Sequence, residues 1–431
     1  MAKLGSMQKI LVLIFVILVT VSCAKKNVKP AQQSVQNCDC AQLAKPTESP
    51  VQCPDSPKTN GEIKSSTIIN TPDYALLKPA NWTEVDGFAE DDLAAAWPAW
   101  QRSCSTLINK PQWQATCAAA KTLNKPNKQA VEAYFTQYFN VYSATNQDGT
   151  ESGLITGYYE PLLKGSRSKS AQYPYPLYRQ PNDLVTVELG DTYPELKYKR
   201  VRGRLLVDKE GRNKLVPYAT RAEIEATSSP LAGNELVWIN DIIDVFFLQV
   251  QGSGLVKLDD GSEVHVGYAD QNGHAYHSIG RLLIERGELS KDQASMQGIK
   301  NWARNSLGKL RDLLNSNPSY VFFRELPAGL PGPLGALGVP IAAERSVAID
   351  PKYVPLGAPI FLSTTQPNSQ IPLKRLMVAQ DTGGAIKGGV RADFYWGAGY
   401  EAGEKAGAMK QQGKIWVLLP KDFFPKDFKL N

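Results

Sequence analysis

From Gly157 to the C-terminus the chain is built of short runs rich in β-branched and aromatic residues, each closed by Gly, Pro or Asn. Such runs occur at 185–189, 205–207, 244–250, 346–349, 359–362, 375–379 and 414–419. This punctuation predicts many short strands with tight turns. Strands so short cannot leave long edges exposed, and one or two small closed β-barrels satisfy that constraint because closure removes edges. Helical spacing of apolar residues adds helices at 91–108, 128–142, 277–286 and 293–315, and 381–412 reads as a glycine-rich loop and helix. The expected class is therefore mainly β with some helices. No internal repeat is present, and 431 residues suffice for two or three domains.

The N-terminus belongs to no core. Lys3 and Lys9 precede an apolar run over 10–19 that ends at Ser22-Cys23, the pattern of an export signal over 1–22. The run is too short to span a membrane comfortably. A small residue directly before a cysteine marks cleavage by lipoprotein signal peptidase, so Cys23 is the expected lipidated N-terminus; several acyl chains there supply stable anchoring. Ala24 is not the aspartate that retains lipoproteins at the inner membrane, which points to the periplasmic face of the outer membrane. From Cys23 to residue 71 the chain is poor in large apolar residues and reads as a disordered tether.

Net charge falls from +6 to +4 once Lys3 and Lys9 are removed, with no clustered Lys/Arg run, so nucleic acid is not an expected partner. Six cysteines fit an oxidising compartment. A disulfide between Cys104 and Cys117 is expected, whereas Cys38, Cys40 and Cys53 lie in a polar stretch far from the three histidines, so no metal site is expected.

Three acids end β-like runs or flank glycine-rich turns: Asp350 after Val347-Ala348-Ile349, Asp381 before Thr382-Gly383-Gly384, and Asp393 after Arg391-Ala392. Phe394, Tyr395 and Trp396 would partly desolvate Asp393 and raise its pKa, as a general acid requires, and aromatic rings also suit stacking on sugars. On the residues alone, an aspartate capping a turn beside core aromatics fits as well. Gln251-Gly252-Ser253-Gly254, read as following an apolar strand, offers close backbone approach and hydrogen bonds to a ligand. It lacks the spacing of a serine-nucleophile elbow. Thr156-Gly157-Tyr158-Tyr159-Glu160-Pro161 is a strand end with paired aromatics and an acid, equally readable as a packed turn.

Taken in order, these segments, with Asn272-Gly273-His274, Asn317-Pro318-Ser319-Tyr320 and Gln380-Asp381-Thr382-Gly383-Gly384, resemble the membrane-bound lytic murein transglycosylase A family from about Tyr74 onward. The resemblance implies a double-psi β-barrel carrying the aspartates, with a second β-barrel inserted and a glycan groove between them. It implies a catalytic domain over 72–157 and 318–431 and an insert over 158–317. Asp393 matches the catalytic acid, with Asp381 and Asp350 as supporting aspartates. Thr156, Tyr158, Gln251, Gly252, Ser253 and Asp350 are expected to contact substrate. The implied reaction cuts the β-1,4 bond from N-acetylmuramic acid to N-acetylglucosamine in peptidoglycan with formation of a 1,6-anhydro end and without a cofactor. Cell-wall synthesis or division complexes are candidate partners. The alternative is a non-catalytic glycan-binding or tethering lipoprotein.

Overall fold

The computed structural model describes residues 74–425 except 194, 195, 197, 198 and 200. The export signal, Cys23, the tether and Cys38, Cys40 and Cys53 lie outside the described residues.

The chain begins with strand β1 (Leu77–Ala80) and three helices, α1 (Trp97–Leu107), α2 (Pro111–Thr122) and α3 (Lys128–Tyr138). Proline stands in the first turn of both α1 and α2, where its missing N–H is not needed. Asn127 caps α3 by accepting from the Ala130 N–H at 2.9 Å. The helix expected over 128–142 stops at Tyr138, because β2 (Phe139–Ala144) follows and pairs with β1. Trp100, Phe135 and Phe139 pack ring against ring beneath the helices, and a disulfide joins Cys104 of α1 to Cys117 of α2.

Six strands then close a first barrel. They are β3 (Gly153–Glu160), β13 (Ser346–Ile349), β14 (Pro359–Thr365), β15 (Pro372–Thr382), β16 (Ala392–Ala398) and β17 (Lys410–Pro420). Their order is β3, β16, β13, β15, β14, β17 and back to β3, and β1 and β2 extend the sheet from β17. Two pairs, β16 with β3 and β13 with β15, run parallel. Val347, Ile360, Leu362, Met377, Phe394 and Val417 fill the interior, continuous with the helical core. Asp91 fastens the helices to the barrel: its carboxylate takes both Arg345 guanidinium nitrogens, at 2.7 and 3.0 Å, and the Leu376 N–H at 2.8 Å.

Between β3 and β13 the chain makes a second six-stranded barrel. It comprises β4 (Leu162–Ser166), β5 (Tyr175–Tyr178), β9 (Glu235–Ile239), β10 (Ser253–Leu258), β11 (Glu263–Gln271) and β12 (Val321–Glu325), closed by a bridge from Arg179 to Phe323. Sheet membership carries this barrel to Glu325, beyond the limit of 317 read from the sequence, because Phe323 is part of its core. A small sheet of β6 (Val185–Thr186), β7 (Arg202–Val207) and β8 (Asn213–Val216) stands beside it. The strand expected over 185–189 is thus only two residues long.

The strand expected over 244–250 is a helix. After the single turn α4 (Arg221–Ile224), residues Ile242–Gln251 form α5, capped by Asp241, whose side chain accepts from the Ile243 N–H at 2.8 Å. Val245 and Leu248 face the second barrel, while Ile243, Phe246 and Phe247 face α6 (Ile279–Glu285), α7 (Met296–Asn305) and α8 (Leu307–Asn315). A helix buried on several sides is apolar all round and shows no 3.6-residue period to the reader of its sequence. The segment 293–315, expected as one helix, breaks at Ser306 into α7 and α8. The last helix is α9 (Tyr400–Ala408). Among the described residues no helix is long and apolar enough to cross a membrane.

Candidate active site

Alternation along two neighbouring strands builds the site. On β16 the even positions Phe394 and Trp396 enter the barrel core, their rings 4.5 Å apart, and the odd positions Asp393 and Tyr395 point the other way. On β3, paired parallel to it, Thr156 stands opposite Asp393 and Tyr158 opposite Tyr395. On the other side, Ala348 of β13 is level with Asp393 of β16 and with Asp381 of β15. A small residue at 348 therefore lies between the two acids. The segment 381–412, expected as loop and helix, thus contains a barrel strand, and Asp393 is fixed in its register instead of standing on a turn.

The Thr156 hydroxyl donates to Asp393 Oδ1 at 2.5 Å and accepts from Arg391 Nη2 at 2.9 Å. Arg391 is itself held by the carbonyls of Ala392 and Leu154. The Tyr158 hydroxyl donates to Asp381 Oδ2 at 3.0 Å, while Asp381 Oδ1 accepts the N–H groups of Ala336 and Thr382, both at 2.9 Å. Asp393 retains a partly exposed edge, but its carboxyl group is crowded by protein. Burial raises its pKa to about 6; the Thr156 bond and the Arg391 charge pull downward, and the Asp381 charge adds a smaller upward push. Burial, followed by the charges of Asp381 and Asp393, holds the Tyr158 hydroxyl well above its usual range, so it stays a neutral donor. A carboxyl group poised near 6, partly open to solvent and backed by a second, firmly hydrogen-bonded carboxylate, can give a proton and take one back.

Other residues singled out in the sequence take different places. Asp350, just beyond β13, accepts from Gly388 N at 3.0 Å and Lys352 N at 3.2 Å, with Lys387 Nζ at 3.9 Å, and so braces the glycine-rich loop before Arg391. Gln251 ends α5, and its Oε1 accepts the Tyr159 N–H at 3.1 Å, clasping the inserted segment to β3. Gly252 adopts φ +85° as the left-handed cap of α5 and bonds Leu248 O, and Ser253 opens β10 opposite Gly267. That motif therefore follows a helix. Trp396 is buried with its Nε1 toward Met409, which removes it as a sugar-stacking platform, and Tyr395 is buried against Tyr158. Two residues stand in the sequence only as members of motifs, with no role assigned to either. Arg391 orients Thr156, and its only signal was a cation two places before an acid; Glu160 sits on the same face of β3 as Thr156 and Tyr158. A cavity of about 460 Å³ lies elsewhere, in the inserted segment, with Asp183, Arg204, Tyr218 and Glu223 in its walls and none of Thr156, Tyr158, Asp381 and Asp393.

Comparison with known proteins places this arrangement. Residues 154–324 match the family described as the MltA specific insert domain, and residues 345–419 match the 3D domain. A membrane-bound lytic murein transglycosylase A from Escherichia coli K12 is 38% identical over 273 residues, 61% of this chain and 65% of the relative, so the chain spans just under two thirds of that protein. The crystal structure of MltA from Neisseria gonorrhoeae is similar over 81% of this chain and 93% of its own, with 36% identity and a TM-score of 0.69. A crystal structure of E. coli MltA with bound chitohexaose has 28% identity and a TM-score of 0.58 over 82% of this chain and 93% of its own. The chain belongs to the membrane-bound lytic murein transglycosylase A family.

Proposed function

We propose that this protein is a peptidoglycan lytic transglycosylase, a lyase that cleaves the β-1,4 bond between N-acetylmuramic acid and N-acetylglucosamine and leaves 1,6-anhydromuramic acid ends. The observation that carries the reading is the Asp393 carboxyl, desolvated to a pKa of about 6 and aimed by Thr156, beside a single fixed neighbour, Asp381. Its protonated form gives its proton to the leaving glycosidic oxygen. The resulting carboxylate then removes the proton of the muramic acid C6 hydroxyl as that oxygen attacks C1. Because the substrate supplies the nucleophile, no second carboxylate is needed to activate water, which distinguishes the reaction from hydrolysis. Asp381 supports Asp393 by charge and position. Asp350 shapes the loop over the site, and Thr156, Tyr158, Gln251, Gly252 and Ser253 edge a groove between the two barrels.

The same reading assigns the catalytic domain to 72–157 and 318–431 and the insert to 158–317, with small shifts at both joins that sheet membership favours. It places the protein at the periplasmic face of the outer membrane through lipidated Cys23 and a tether to residue 71, acting on cell-wall glycan in turnover and remodelling alongside synthesis or division complexes. Digesting purified sacculi and weighing the products by mass spectrometry tests the chemistry: anhydro-muropeptides are expected, and reducing-end products alone would mean hydrolysis. Asp393→Asn should stop release while sacculus binding persists; retained release would remove Asp393 from its role.

A further inference from the structure

The face of β3 that carries Thr156 and Tyr158 ends in a third side chain, Glu160. It is 3% exposed, and its Oε1 has no hydrogen-bond partner. Buried polar atoms are rarely left so, and one beside a catalytic row requires an explanation. The backbone around it is fixed: Gly399 N–H donates to its carbonyl at 2.9 Å, and Gln251 holds the preceding residue from the inserted segment. Burial alone pushes its carboxyl up to about 7.

Glu160 reaches the site through Tyr395. Across the β16–β3 pair Tyr395 stands opposite Tyr158, and an irregularity between Tyr395 and Ala398 brings Ala398 opposite Glu160. The Tyr395 hydroxyl is pushed up by burial first, then by Glu160, then by Asp381, so it feels the carboxyl groups at both ends of the row. Its ring packs on that of Tyr158 at 5.1 Å, and the Tyr158 hydroxyl holds Asp381. Other charged groups on the packed elements act elsewhere. Asp244 of α5 acts at Tyr159, Lys405 of α9 lies over the Trp396 ring on the inner face, and Glu404 of α9 bonds Tyr400. Glu401 of α9, Lys410 of β17 and Glu344, which pairs with Arg375, complete the set.

We propose that Glu160 is a positioning residue for the reaction at Asp393, acting through Tyr395 and Tyr158 from the closed end of the row. This rests on the lytic transglycosylase reading above. In its neutral form Glu160 fills the seam and leaves Tyr395 packed on Tyr158. When its proton is lost, an unpaired negative charge stands against Tyr395 in a dry site. The tyrosine pair shifts, Asp381 loses its hydroxyl donor, and catalysis falls although Asp393 itself is untouched.

The test is the rate of anhydro-muropeptide release from sacculi by the full chain, measured below saturation from pH 5 to pH 8.5. Two groups titrating near 6 and 7 make the log rate of the unaltered protein fall with a slope approaching two above pH 7; a slope of one would overturn the proposal without any variant. In Glu160→Gln, whatever its rate at pH 5.5, the drop from pH 5.5 to pH 8 should be about ten-fold shallower, since ionisation of a group near 7 removes about nine tenths of the neutral form at pH 8. An unchanged pH profile in a folded Glu160→Gln protein would make Glu160 merely structural. Product with the wrong profile defeats this proposal alone; no anhydro product at any pH defeats the proposed reaction with it.

Discussion

Thr156→Val removes one hydroxyl and keeps the branched shape. That hydroxyl donates to Asp393 Oδ1 at 2.5 Å and thereby favours the ionised carboxylate. A hydrogen bond to a charged group contributes roughly 1.5–3 kcal/mol, which is about one to two pH units at roughly 1.36 kcal/mol per unit. The site is partly open, and Arg391, freed from Thr156, can turn toward Asp393, so an upward shift of about one unit is expected. The alkaline limb of activity should then move from near pH 6 to about one unit higher, with roughly ten-fold more protonated acid available at pH 8. At pH 5, where Asp393 is protonated in both proteins, the variant should be about ten-fold slower, because the carboxyl is no longer aimed. Release of anhydro-product from sacculi across pH 4.5–8.5 gives both numbers. A limb that stays in place or moves down would refute the idea that the Thr156 bond sets the proton affinity of Asp393.

Asp381→Asn removes the neighbouring negative charge that raises Asp393, so its limb should move to lower pH by less than one unit, with a lower rate throughout; an upward shift in the same assay would contradict the assigned coupling. Replacing Cys104 and Cys117 together by Ser opens a short loop, 13 residues in sequence separation, and should lower unfolding stability by about 3 kcal/mol in urea titration. That double variant should leave the pH profile of release unchanged, because the disulfide joins α1 to α2 and bonds none of Thr156, Tyr158, Asp381 and Asp393.

Several features were open to reading from the chain because their causes are local. Short β runs cut by glycine and proline imply closed sheets whatever their order, and the spacing of Val131 and Phe135 writes the buried side of α3 into the sequence. The acid beside aromatics at 393–396 suggested desolvation, and burial is the main cause of its raised pKa, but Phe394 and Trp396 turn to the opposite face of β16 and leave only Tyr395 of the three on the side of Asp393. Other features depend on neighbours distant in sequence. Residues 244–250 read as a strand because their apolar character has no period, and they lie in a helix because partners on several sides bury it. The Gln251 motif reads as a ligand loop, yet Gly252 caps that helix and Gln251 clasps Tyr159.

Whether Trp396 meets sugar or core was settled by strand alternation, which also set Asp393 facing Thr156. Glu160 shows the division most clearly. In the sequence it is the acid that ends a strand with paired aromatics, equally readable as part of a packed turn, and only the closing of β3 onto β16 strips its solvent and sets it against Tyr395. By itself the sequence determined which segments are apolar, which turn and which residues can carry a proton. The tertiary structure decided which of those residues share a face and how much water they keep, because register and desolvation arise between strands far apart in the chain and are absent from any one of them.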